Sequence, residues 1–228
     1  MSDPRGVVRA GGLRGADLLA WLASHPPDER DAALERLLGV AGEPAQGPVG
    51  ADRMGYMPAA IAPIVRAVLA VPVTRDDVLF DLGAGLGKIV MAVHLLTGAR
   101  TRGVEIQPEL AERGRALAAD LRLEGVEFVA ADALEADLDG ATVVFLYLPF
   151  TGPVLEGVMA RLEAVARRRQ IVVCALGIDL RAFRWLRERP GDEFWLSIYE
   201  SDVPGAERRA APAESTLAAA GEPVARGL

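Results

Sequence analysis

The chain has 228 residues, 51% hydrophobic and 25% charged, with a net charge of −7. That length and composition suit one α/β domain with a small appendage, allow a large core and exclude wholesale disorder. The acidic balance speaks against a nucleic-acid partner held by phosphate attraction, and a single Cys excludes an internal disulfide or a thiolate metal cluster.

Two short helices are expected over Ala16–Ala23 and Asp28–Leu38, the second with Leu34, Leu37 and Leu38 on one face. Gly39–Gly50 reads as a Gly/Pro linker, so residues 1–50 form a helical cap and linker ahead of a domain over 51–201. A helix over Pro58–Leu69 carries Ile61, Ile64, Val65, Val68 and Leu69 at helical spacing, with Pro58 in its first turn. Strands are expected at Val78–Leu82, Arg102–Ile106, Val126–Ala130, Thr142–Leu148, Ile171–Leu176 and Phe194–Tyr199. Helices fall between them at Ile89–Leu96, from Pro108 with Leu110, Leu117 and Leu121, at Val154–Arg167, and at Leu180–Arg189, where Pro190 stops the last. This alternation predicts a doubly wound, Rossmann-like, mostly parallel α/β sheet that binds ligands beyond the carboxyl ends of its strands.

Residues 202–228, rich in Ala, Pro, Gly and Glu, are expected to be a flexible tail. The amino terminus shows no apolar run of the secretory kind, and Pro58–Val73 is broken by Pro63, Arg66 and Pro72. No membrane partner is therefore expected, and the reading is cytoplasmic. His25 and His94 are too far apart in sequence to suggest a metal site.

The chemistry concentrates in Asp81-Leu82-Gly83-Ala84-Gly85-Leu86-Gly87-Lys88. Three glycines after a buried strand allow a tight turn and close approach of a ligand to the backbone. A dinucleotide fingerprint would need its third Gly where Lys88 stands, and a Walker A loop would need Gly at Leu82 and Ser or Thr at Ile89. The remaining pattern, D-x-G-x-G-x-G, resembles motif I of class I S-adenosylmethionine (SAM) methyltransferases. The resemblance implies SAM as cofactor, with Asp81 suited to its methionine ammonium. Glu105, ending the second strand, is placed for both ribose hydroxyls. In that class a carboxylate in the position of Asp132, after the third strand, accepts from the adenine amino group.

Within the class, the chain resembles the non-SET histone lysine methyltransferases and their small bacterial relatives. The shared features are Asp76 to Gly83, Gly103-Val104-Glu105 and Val143-Val144-Phe145-Leu146 running into an aromatic turn. Tyr56 occupies the position of a tyrosine that closes over the cofactor in that family. The resemblance implies cofactor contacts at Tyr56, Asp81, Glu105, Ile106, Asp132 and Ala133, with Gly83, Ala84, Gly85 and Gly87 forming the turn. The family carries an Asn after its fourth strand; here Tyr147-Leu148-Pro149-Phe150 stands there, which leaves the acceptor open.

Methyl transfer from a sulfonium brings its own leaving group, so the protein mainly aligns the reactants. Tyr147 is the candidate catalytic residue, orienting an acceptor or packing over the cofactor, and Pro149 and Phe150 are candidate walls of the acceptor pocket. The acceptor is read as a small molecule or a protein side chain. The alternatives are a protein lysine or other amino-group methyltransferase and a non-catalytic SAM-binding scaffold. Substituting Glu105→Ala is expected to abolish SAM binding and leave the fold intact. Cys174 reads as a buried strand residue, and Arg167 to Arg169 as cations closing a helix.

Overall fold

The computed structural model describes residues 3–42, 44, 47–191, 195–210 and 217. Seven strands form one sheet: β1 (Val78–Leu82), β2 (Arg100–Glu105), β3 (Val126–Ala130), β4 (Val143–Tyr147), β5 (Val172–Leu176), β6 (Leu186–Glu188) and β7 (Leu196–Ser201). Their order is β3-β2-β1-β4-β5-β7-β6, with β7 antiparallel to both its neighbours and the remaining pairings parallel. The order reverses between β1 and β4, which opens a crevice at their carboxyl ends.

Side-chain alternation sorts the apolar strands into two cores. Leu79, Val143, Phe145, Val172 and Cys174 point to one face, and Phe80, Leu82, Val144, Leu146 and Val173 to the other. The first face is covered by α4 (Ile61–Ala70), α5 (Lys88–Thr97) and α6 (Pro108–Asp120), the second by α7 (Gly152–Ala166). The amino-terminal cap consists of α1 (Pro4–Arg9), α2 (Gly15–Ala23) and α3 (Arg30–Leu38). Its Leu18, Leu19, Leu22, Leu34 and Leu38 are buried in the same core as Leu95 and Leu96 of α5. Each buried leucine contributes about 1.5–3 kcal/mol, so the cap is an integral layer of the fold.

Three expectations need correction. The helix expected from Pro58 begins at Ile61 and carries Pro63 in its first turn; Pro58 belongs to an extended segment before it. Leu180–Arg189 is not a helix: turns lead into β6, whose three residues pair with β7. Tyr199, buried in β7, accepts the Leu180 N–H at 3.1 Å and holds this corner in place of a helical hydrogen-bond ladder. Residues 202–210 of the expected tail are held on the body. Glu207 bridges to Arg169, and the half-buried Arg209 reaches under the sheet to Asp77. Of the rest of that tail only Leu217, which is buried, is described, and Phe194 of the last expected strand also lies outside the described residues. The short α1 has no counterpart in the helices expected from the sequence. Its Asp3 cap accepts from the N–H groups of Arg5 and Gly6, a cap signal legible in Asp3-Pro4.

Candidate active site

Asp81 sits near the carboxyl end of β1, on the α5 side of the sheet with Leu79. It is 1% exposed, and neither carboxylate oxygen has a hydrogen-bond partner among the described residues. Burial pushes its carboxyl up to about 8, and the charge of nearby Glu105 adds to the rise. The folded chain therefore holds Asp81 largely protonated at neutral pH, and a cation placed against it would draw the proton off.

The strand runs directly into the glycine turn. Gly83 and Ala84 donate their N–H groups to the Val104 carbonyl at 2.8 and 3.1 Å, which ties the turn to β2. Gly85 has a φ of 53°, and a side chain there would collide with the Tyr56 ring. Glycine thus lets that tyrosine lie on the turn. The buried Glu105 accepts the Gly85 N–H at 2.8 Å on one oxygen and the Gln107 N–H at 2.9 Å on the other. It shapes the turn as well as facing the crevice, and each oxygen keeps a further lone pair.

Asp132 follows β3. One oxygen accepts the Leu134 N–H at 3.0 Å, and the other is ion-paired with Arg53. Arg53 belongs to a strap, residues 52–57, that crosses the crevice. It bridges to Phe150, the Met54 N–H donates to the Pro149 carbonyl at 3.2 Å, and the Thr151 N–H donates to the Asp52 carbonyl at 2.9 Å. Burial and the Glu35 charge push the Tyr56 phenol up to about 12, so it stays neutral. With the strap in this position the cavity measures about 60 Å³. Sites for drug-sized ligands hold roughly 300–1,000 Å³, so a large ligand must displace the strap.

Tyr56, Asp81, Gly83, Ala84, Gly85 and Glu105 all line this one crevice. Ile106, Asp132, Ala133, Tyr147, Pro149 and Phe150 line it too. Gly87 is the exception. It stands off the lining, caps α5 with a φ of 83°, and leaves room for the Phe128 ring. Tyr147, half-buried at the end of β4, faces both this crevice and a second cavity beside it.

Two charged lining residues, Arg53 and Lys88, escaped the sequence reading. Arg53 carried no signal, because nothing local shows that its segment folds back over the third strand. Lys88 did carry one, as the only lysine in the chain, directly after the glycine turn. Its buried ammonium bonds Asp31 at 2.7 Å and Glu35 at 2.8 Å, and Asp31 also accepts the Ile61 N–H at 2.8 Å. One cation thus joins the cap and the start of α4 to the glycine turn.

The residues read as structural are so placed. His94 bonds the Ala99 carbonyl at 2.8 Å, and burial lowers its pKa. His25 bonds the Trp21 carbonyl at 2.9 Å, and Cys174 is buried with its thiol pushed up to about 12. Arg167 pairs with Glu163 and Arg168 with Asp139 around the end of α7. Among the described residues no group of three His, Cys, Asp or Glu could hold a metal ion, and no helix is long and apolar enough to cross a membrane.

Compared by sequence, the chain matches no family model and no curated protein. Compared by structure, it is similar to an RNA methyltransferase from Salinibacter ruber in complex with S-adenosyl-L-homocysteine (SAH). The identity is 27% and the TM-score 0.51, covering 69% of this chain and all of that one. It also shares its fold with a mutant of MtNAS in complex with SAM, at 16% identity and a TM-score of 0.50. That match covers 62% of this chain and 63% of the other. The fold is that of a SAM-dependent methyltransferase, with SAM as its cofactor.

Proposed function

We propose that the chain transfers the methyl group of SAM to a small-molecule acceptor presented beside Tyr147. The observation that carries this is the bare, buried Asp81 carboxyl at the switch point of the sheet. A group this costly to bury without a partner calls for a cationic ligand, and SAM brings an ammonium. Glu105 offers its remaining lone pairs to the ribose hydroxyls, and the backbone of Gly83 to Gly85 allows the methionine end to approach. Asp132, once released from Arg53, accepts from the adenine amino group, with Ile106 and Ala133 flanking the base. Tyr56 covers the cofactor.

When bound, SAM supplies the methyl carbon and its own leaving group, so no base is needed unless the acceptor arrives protonated. Tyr147 orients the acceptor through its hydroxyl or its backbone carbonyl, while Pro149 and Phe150 narrow the cofactor side of the opening. The Salinibacter protein is an RNA methyltransferase. A net charge of −7 and a crevice rimmed by Met54, Met57 and Ile106 support a small apolar acceptor here instead.

The test is to incubate the protein with methyl-labelled SAM and a lysate of its source, then separate the label by molecular size. Label in the low-mass fraction is expected. Label in protein would overturn the small-molecule reading in favour of the amino-group alternative. No transfer by a protein that demonstrably binds SAH would leave a SAM-binding scaffold.

A further inference from the structure

Lys88 opens α5 directly after the glycine turn and lines the same crevice as Asp81 and Glu105. A lysine sharing a crevice with two buried carboxylates would ordinarily pair with one of them, because a buried charge is costly until it is matched. Here the lysine is turned the other way. Its side chain is 4% exposed, and its ammonium bonds Asp31 at 2.7 Å and Glu35 at 2.8 Å, both on α3 of the cap. Asp81 meanwhile has no hydrogen-bond partner among the described residues, and Glu105 spends its oxygens on the N–H groups of Gly85 and Gln107.

Three features keep the lysine on that side. Two carboxylates face one ammonium, so the cap outbids either acid of the crevice taken singly. Asp31 is itself fixed, since the oxygen that bonds Lys88 also accepts the N–H of Ile61 at 2.8 Å, at the start of α4. Finally, Leu34, Leu37 and Leu38 of α3 are buried in the core, which anchors the helix that carries both acids. Glu35 stands close enough to the crevice for its charge to raise the Tyr56 phenol.

We propose that Asp31 and Glu35 are positioning residues, which hold the Lys88 ammonium on the cap side and so keep Asp81 and Glu105 for SAM. The inference rests on the methyl-transfer reading above and adds a requirement for the amino-terminal cap in cofactor binding. SAM brings an ammonium and a sulfonium, and a free ammonium in the crevice wall would oppose both. Released from the cap, the flexible lysine stem turns its charge into the crevice it already lines and pairs with the acids that the ligand needs. The cap thus serves the cofactor site without touching the cofactor.

The experiment uses the full chain in three forms: the parent, the double variant Asp31→Asn with Glu35→Gln, and that double variant with Lys88→Met added. Asn keeps an oxygen for the Ile61 N–H, while the two substitutions remove the charges that hold the lysine. SAH affinity is measured by calorimetry at a temperature where circular dichroism shows each form folded, and the Asp81 carboxyl is titrated by carbon NMR. The double variant is expected to bind SAH roughly tenfold or more weakly, with Asp81 titrating well below its parental value of about 8. Adding Lys88→Met should return both readings to near those of the parent. Parental affinity in the double variant, an unmoved Asp81 titration, or a triple variant as weak as the double would overturn the inference alone. Should the double variant not fold, Glu35→Gln by itself, which leaves the Asp31 bonds in place, carries the same comparison with a several-fold effect. Absence of SAH binding by the parent would instead overturn the reading on which the inference rests.

Discussion

Asp77 and Asp81 stand four residues apart, at opposite ends of one strand, and both are buried, at 4% and 1% exposure. Their surroundings are opposite. Asp77 is held by Arg209 through two bonds of 2.8 and 2.6 Å, by the Thr142 hydroxyl at 2.8 Å and by the Thr74 N–H at 2.9 Å. Burial pushes its carboxyl up, but these bonds outweigh it and hold Asp77 below the usual carboxylate range. Asp81 has no such partner among the described residues, and its carboxyl is raised to about 8. The same residue type thus serves as a fastener at the amino end of the sheet and stands without a hydrogen-bond partner, among the described residues, at the carboxyl end. Burial alone does not separate the two roles; the count of partners does.

The largest effect is expected from breaking the fastener. Arg209 also donates to the carbonyls of Val71 and Pro72, so Asp77→Ala strands a guanidinium that is already tied into the turn before β1. Removing one member of a buried pair typically costs about 3–5 kcal/mol, and equilibrium urea unfolding measures it. A loss below about 1 kcal/mol would show that the clasp contributes little. The sign with pH follows from the depressed value. The contribution of Asp77 is complete above the ordinary aspartate range and disappears as pH falls through its lower native pKa. Asp77→Asn should therefore flatten the fall in stability in that acid range.

Asp81→Asn should do the reverse. Because its native pKa is raised, the folded chain keeps a proton that the unfolded chain has lost between about pH 4 and 8. Each pH unit in that window costs about 1.4 kcal/mol of stability. Asn removes this cost, so the variant should melt higher than the parent at pH 8, and the two should converge towards pH 4. It should also lose most of its SAH-dependent stabilisation, a trade of function for stability. A variant no more stable than the parent at pH 8 would mean that Asp81 is not held protonated.

The acids were legible in the sequence because strand-end position and residue type alone carry them. The periodic strands β1 to β5 were legible for the same local reason. What depends on distant segments was not. The β6 corner reads as a helix until Tyr199, from another strand, takes the Leu180 N–H. The Arg209 clasp lies 132 residues from its partner. Glu105 shows the same limit within the site. Its spacing marks a cofactor ligand, but not that its two oxygens already hold the N–H groups of Gly85 and Gln107. Glu105→Ala is therefore expected to abolish SAH stabilisation and also to destabilise the free protein, by about 1–3 kcal/mol for each stranded donor. Glu105→Gln, which keeps one acceptor oxygen, should lose SAH stabilisation with a smaller fall in melting temperature. Equal melting of parent and Ala variant would return Glu105 to a purely ligand-binding role.

The smallest effect concerns the Arg53–Asp132 pair, an ion pair that resembles the Asp77 clasp but closes the functional end. Here the arginine stands on the strap over the crevice, and its side chain is 16% exposed, against 9% for Arg209. With the strap across it the crevice measures about 60 Å³, so displacing the strap and its ion pair is part of the cost of seating a ligand as large as SAM. Arg53→Ala removes the strap's ionic tether and frees the Asp132 oxygen for the adenine amino group. It should bind SAH several-fold more tightly by calorimetry, with little change in the stability of the free protein. Weaker binding would mean that Arg53 itself contacts the cofactor once the strap has moved, and that the pair at this end of the sheet is a ligand in waiting rather than a latch.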